Sequence, residues 1–216
     1  MKTSLVAPAL VLALSLCVSA CSGDDGPATA SDPAAPGAPA DPPTPPSAVP
    51  ASAGEVRSAG LPTVMDTGDG AELCLGAIAE SYPPQCGGPR ITNWDWAAQD
   101  GVFDQQGQVR WGTFAVTGTW DGSAFTVTNS IPGPLYDPMM PTPVELPEPT
   151  VDYSAAELDD ISRALSEELP GYQGSYADEA GHVLVDVVYD DGSLQAYADE
   201  AYGDGVVVVN GALLDA

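Results

Sequence analysis

Proline placement limits the fold of this chain more than any other feature. Of its 216 residues 22 are proline, and most fall in two tracts, Ser22 to Gly60 and Pro132 to Pro149. Proline lacks an N–H and fixes φ, so neither tract suits a helix interior or a central strand. Regular structure is therefore expected over residues 61–131 and 151–216. Together these give about 140 residues, enough for one domain or two small ones. The first tract is mostly Ala, Pro, Ser, Gly and Asp, with no aromatic residue and no apolar period. Nothing in it offsets the entropy of ordering, and it reads as a tether over residues 21–60. A tether of this kind reaches roughly 35 Å as a coil and about 120 Å as polyproline II. The second tract, 132–150, reads as an extended connector that includes Met139-Met140.

Residues 1–20 have a different character. Lys2 supplies a minimal positive start, and Leu5 to Val18 is an apolar run too short for a permanent membrane helix but suited to a signal peptide. The run ends in Val18-Ser19-Ala20-Cys21, which resembles the lipobox of bacterial lipoproteins. The resemblance implies cleavage before Cys21 and acylation of its thiol, and two or three acyl chains on one cysteine make a durable anchor. The expected location is the outer face of a cell membrane. The alternative is an ordinary secretory signal that leaves Cys21 as a free thiol.

Charge excludes further classes. The formal net charge is −26, with 31 acidic residues against five basic ones. After Lys2 the cations are Arg57, Arg90, Arg110 and Arg163. So acidic a chain repels phosphate backbones and anionic headgroups, which argues against nucleic acid as a partner. A solvated acidic surface is the plain explanation of the charge.

In residues 61–131 strand signals dominate. Glu72 to Ala79 and Ile91 to Trp96 read as short strands. Arg110 to Trp120 alternates, with Phe114, Val116 and Trp120 on one face. Asp121-Gly122 is a type I′ turn signal, and Phe125 and Val127 then resume the alternation up to Ser130. Four or five short strands predict a small all-β barrel or sandwich, and an OB-like barrel is the specific expectation. Cys74 and Cys86 are the two cysteines beyond the leader and its lipobox. In an oxidising compartment they read as a disulfide staple. A metal site would need further ligands, and the chain's one histidine lies far away in sequence.

Segments within Leu73 to Val127 also look familiar. Glu72-Leu-Cys-Leu-Gly-Ala-Ile-Ala-Glu-Ser-Tyr-Pro-Pro-Gln-Cys-Gly-Gly-Pro89, then Trp94-Asp-Trp96, then Trp111-Gly-Thr-Phe-Ala-Val-Thr-Gly-Thr-Trp-Asp-Gly122 resemble segments of uncharacterised exported proteins of high-GC Gram-positive bacteria. That resemblance implies an exported location and transfers no activity.

Residues 151–216 predict a small α+β module of order αββαβ, with the helices on one face of the sheet. Ser154-Ala-Ala-Glu157 is a capping box, and Leu158, Ile161, Leu165 and Leu169 follow at helical spacing until Pro170-Gly171. Strands are expected at Tyr172 to Ala177, His182 to Tyr189 and Val206 to Val209. A second helix is expected over Ser193 to Tyr202, closed by Gly203.

No catalytic, cofactor or metal motif stands out. Acidic pairs such as Asp159-Asp160 and Asp190-Asp191 are what 31 acids produce by chance. Asp66-Thr-Gly-Asp-Gly70 and Asp190-Asp-Gly192 are Asp-Gly turns without the spacing of a calcium loop. His182 reads as an exposed turn residue, and no Gly-x-Ser-x-Gly accompanies it. Trp94 and Trp96, on one face of an extended segment, could form a ligand platform for a sugar or peptide, although burial in the core is the commoner fate. The leading expectation is a non-enzymatic envelope lipoprotein with a binding or accessory role, its partner an envelope protein or glycan. The alternative is a carboxylate-based hydrolase acting on cell-wall material.

Overall fold

A computed structural model describes residues 42–137 and 145–216. The expected signal segment, Cys21, most of the expected tether and Met139-Met140 lie outside the described residues. Within them the chain is mostly β: a closed five-stranded mixed barrel, a second small sheet, two helices and a Cys74–Cys86 disulfide.

The barrel is built on a long hairpin. Strand β6 (Val109–Trp120) buries Phe114, Val116 and Trp120 on its inner face. Its partner β7 (Ala124–Pro132) runs antiparallel, with a register shift at Thr117/Gly118. The hairpin closes tightly: Trp120 pairs with Phe125, and the Asp121 N–H donates to the Ala124 carbonyl at 3.3 Å, so the two residues between them, Gly122 and Ser123, make the turn, one position beyond the Asp121-Gly122 that the sequence suggests. The Asp121 carboxylate accepts the backbone N–H groups of Ser123 and Ala124 and holds it. Strands β2 (Thr63–Asp66) and β3 (Ala71–Cys74) form a second hairpin, with β2 on β6 and β3 on β4 (Arg90–Ile91). A parallel pairing of β4 with β7 closes the ring. The Asn93 side chain extends that closure: its Nδ2 donates to the Val127 carbonyl and its Oδ1 accepts the Val127 N–H, as a strand residue would. Val64, Leu73, Phe114 and Phe125 fill the interior and are fully buried.

Two short strands lie outside that ring. β1 (Glu55–Ser58) pairs with β6, and β5 (Asp104–Gln106) pairs with the start of β6. β1 falls within the stretch whose composition suggests tether, yet Val56 and Ser58 are buried. Contacts with the barrel extend further back in the chain: the Pro50 carbonyl accepts the Trp120 indole N–H, and Val49 packs on the barrel core. Four alternating residues are too short a signal to stand out against a proline-rich background. The segment that crosses Cys86 to Pro89 runs tight against β3, and a Cβ on Gly88 would stand 1.9 Å from the Leu73 carbonyl oxygen. Only glycine fits there.

The C-terminal segment contains helix α1 (Ala155–Glu168), β8 (Tyr172–Ala177), β9 (Val183–Val187), helix α2 (Ser193–Tyr202) and β10 (Val207–Gly211). Ser154 and Glu157 form the capping box, and Leu158, Ile161 and Leu165 face the sheet. β9 lies between antiparallel β8 and parallel β10. Val183, Val185 and Val187 pack against both helices through Leu165, Leu194 and Ala198. One further strand, β11 (Leu213–Asp215), leaves this small sheet and pairs antiparallel with β1. Leu213, Val188 and Tyr189 are therefore part of the barrel core. All described residues fall in one compact unit, Asp41–Ala216, whose two main buried clusters are the barrel core and the layer between the helices and the small sheet. No helix among the described residues is long and apolar enough to cross a membrane.

Candidate functional site

Asp66 ends β2 with its side chain turned inward, and its residue is only 4% exposed. A buried carboxylate is costly unless donors surround it. Here four do. The backbone N–H groups of Gly68 and Gly70 donate to Oδ1, at 2.8 and 3.2 Å. The Trp96 indole N–H and Arg110 Nη2 donate to Oδ2, at 3.0 and 2.8 Å. Burial pushes the Asp66 pKa up, but these hydrogen bonds, with the Arg110 charge behind them, outweigh it and hold the carboxyl below its ordinary value. The Arg110 guanidinium also lies over the Trp96 ring, 5.4 Å from its centroid.

Beside this cluster is a concavity of ≈ 470 Å³. Its walls come from the β2–β3 loop at Gly70, from β3 at Ala71, from β4 at Arg90 and Ile91, and from Thr92, Trp94, Asp95 and Trp96. Arg90 is exposed, and among the described residues its Nη2 donates to the Asp69 carbonyl alone, at 3.1 Å. Two of the chain's four arginines thus line one concavity.

Trp94 and Trp96 do not form the flat platform that an extended strand would produce. β4 ends at Ile91, and Asp95 accepts the Ala97 N–H to start a 3-10 turn, Trp96–Gln99. The indoles meet edge to face, with centroids 5.6 Å apart and planes at 75°. Trp96 is buried, whereas Trp94 is half-buried and packs edge to face on Phe114. The Trp94 Nε1 is a buried donor without an acceptor among the described residues.

The other sequence candidates fall elsewhere. The Asp190 carboxylate caps α2, accepting the N–H groups of Gly192, Leu194 and Gln195. With Asp66 engaged likewise, both Asp-Gly turns use their carboxylates on backbone. No group of three or more ligand-type side chains stands together among the described residues. A second concavity, ≈ 540 Å³, gathers Glu55, Tyr189, Asp191 and Asp215. Burial and the Asp215 contact push the Tyr189 hydroxyl up to about 12. His182 is not an exposed turn residue: it is 6% exposed, and both ring nitrogens are engaged.

Asp66, Arg90 and Arg110 are the residues that motif reading did not join. Their one sequence signal is scarcity, since a cation in so acidic a chain is a rare investment. No family model matches the chain, and comparison with curated proteins and with solved structures finds no match.

Proposed function

We propose that this chain is a cell-envelope lipoprotein, anchored through acylated Cys21 to the outer face of the membrane, with a non-enzymatic binding role toward an envelope glycan. The anchor rests on the leader and the Val18-Ser-Ala-Cys21 box. The binding role rests on one observation: Arg90, Arg110, Asp66 and the two indoles converge on a single concavity. Charged donors paired with acceptors, next to aromatic surface, suit hydroxyl-rich ligands better than a bare cation or anion. Its size is typical of small-ligand sites.

The barrel is read as OB-like. In support, β2, β3 and β4 form an antiparallel meander, β6 and β7 form the hairpin, and β4 lies parallel to β7. Barrels of that type bind oligonucleotides or oligosaccharides on their second and third strands and the loop between the first two. In the ring these are β3, β4 and the Thr67 to Gly70 loop, against which the concavity lies. This is a fold-level analogy, and net charge turns it from nucleic acid toward glycan. The C-terminal segment is read as an αββαβ layer that buttresses the barrel.

Two experiments test the reading. Cys21→Ala should move the protein out of the membrane fraction or leave an uncleaved precursor; fully processed protein still in the membrane would refute the anchor. Immobilised cell-wall oligosaccharides should retain the full chain, and Arg90→Ala should weaken retention about tenfold, the worth of one charge-assisted hydrogen bond. Equal retention of both forms would refute the site. Release of new reducing ends would favour the hydrolase instead, with the Glu55, Asp191 and Asp215 concavity as its first candidate.

A further inference from the structure

We infer that His182 is a pH-sensitive latch, protonated at rest, that clamps residues 145–150 onto the C-terminal layer and releases them as it loses a proton. The geometry carries the inference. His182 Nδ1 lies 2.8 Å from Asp178 Oδ2, and Nε2 lies 3.0 Å from the Pro147 carbonyl oxygen. A carbonyl cannot donate, and neither can an ionised carboxylate. A neutral imidazole has one N–H and could satisfy only one of these contacts, leaving a lone pair against an oxygen. The imidazolium satisfies both.

The surroundings hold that state. Asp178 stays ionised, because its Oδ1 also accepts the N–H groups of Ala180 and His182. Burial raises its pKa, but those bonds and the His182 contact outweigh it, leaving it below the ordinary value. For His182, burial favours the neutral ring, and it is overcome by Asp178, by the Pro147 carbonyl and by the Glu148 charge, so its pKa is raised. Asp178 faces the ring from the turn before β9, and Glu148 faces it from the strap. Asp204, on the adjoining loop, is exposed and offers its carbonyl to the strap.

The strap itself has little else to hold it. Leu146, Pro147 and Glu148 are exposed. Its further anchors are Thr150, whose N–H and hydroxyl both donate to the Asp204 carbonyl at 2.9 Å, and close passage over Gly205, where a Cβ would meet the Glu148 carbonyl oxygen at 2.7 Å. A segment with so few buried contacts opens locally at low cost. Losing the Nε2–H donor removes a charge-assisted bond from it. The neutral ring keeps its Nδ1–H on Asp178, so release falls on the Pro147 side.

The test uses the full chain, isotopically labelled. His182 is the one histidine in the sequence, so its ring nitrogens give a single, unambiguous set of NMR signals. Both nitrogens should be protonated below the midpoint, which should lie above the ordinary histidine value of about 6.5. Protection of the Thr150 amide, corrected for intrinsic exchange, should fall on the order of tenfold across that midpoint, while the barrel amide of Val116 stays unchanged. Asp178→Asn should shift the midpoint down, and His182→Gln should give Thr150 protection that does not vary with pH. A midpoint at or below the ordinary histidine value, or Thr150 protection indifferent to the His182 titration, overturns the latch.

Discussion

The Trp96 indole N–H donates to Asp66 Oδ2 at 3.0 Å, across thirty residues of sequence. Arg110 closes the same oxygen from β6, so one carboxylate ties the β2–β3 loop, the 3-10 turn and the long hairpin together. The concavity owes its shape to that knot.

Asp66→Asn should therefore loosen the site as well as the fold. The amide keeps the volume but turns two hydrogens toward existing donors. Allowing for the partial exposure of Arg110, the loss should be about 2 to 3 kcal/mol by denaturant melting. The sign with pH is set by the depressed Asp66 pKa. Its contribution is present above the unfolded carboxyl value and fades as pH falls through the lower folded value. The wild type should lose more stability than the Asn variant over that acid range. Equal acid slopes would remove Asp66 from the account.

Cys74 and Cys86 are joined, with Cα atoms 5.8 Å apart, and they close a loop that includes Tyr82 against the Trp111 ring. A loop of a dozen residues is worth roughly 3 kcal/mol in the chain-entropy model. Cys74→Ala with Cys86→Ala should lower stability by about that amount. Peptide mapping of protein purified without reductant should recover the two cysteine peptides linked. Free thiols at both positions would refute the staple.

Local signals were legible where pattern and partner lie close in sequence. The Ser154–Glu157 box, the apolar spacing to Leu169, the α2 ends at Ser193 and Gly203, and the alternation of β6 all act within a few residues, and all form. The barrel class followed from strand density. Hidden features depend on distant partners. β1 and β11 are too short to show a period; β1 is a strand because β6 and β11 flank it, and β11 because β1 lies beside it. His182 looked like a turn residue because its carbonyl partner, Pro147, is thirty-five positions away. Likewise, Asp66 read as a turn aspartate; that it gathers Trp96 and Arg110 is a property of the closed ring alone.

β11 leads to the last prediction. Leu213 is 1% exposed inside the barrel core, and the Tyr189 hydroxyl donates to Asp215 at 2.9 Å beside it. Backbone bonds reinforce the seam: Ala59 donates to the Ala212 carbonyl, Ala212 to Val187, and Ala216 to Glu55. Barrel and helical layer should then unfold as one cooperative unit, and two probes separate that from stepwise melting. All four tryptophans, Trp94, Trp96, Trp111 and Trp120, lie in the barrel segment, so fluorescence reports the barrel. Helices α1 and α2 belong to the other layer, so far-ultraviolet circular dichroism is weighted toward it. The two transitions should coincide in denaturant, the usual mark of two-state behaviour. Leu213→Ala should cost about 2 to 5 kcal/mol, the range for a buried leucine, and should shift both probes together. If fluorescence and dichroism separate in the wild type, or if Leu213→Ala moves one alone, the layers are independent and the seam contributes no cooperativity.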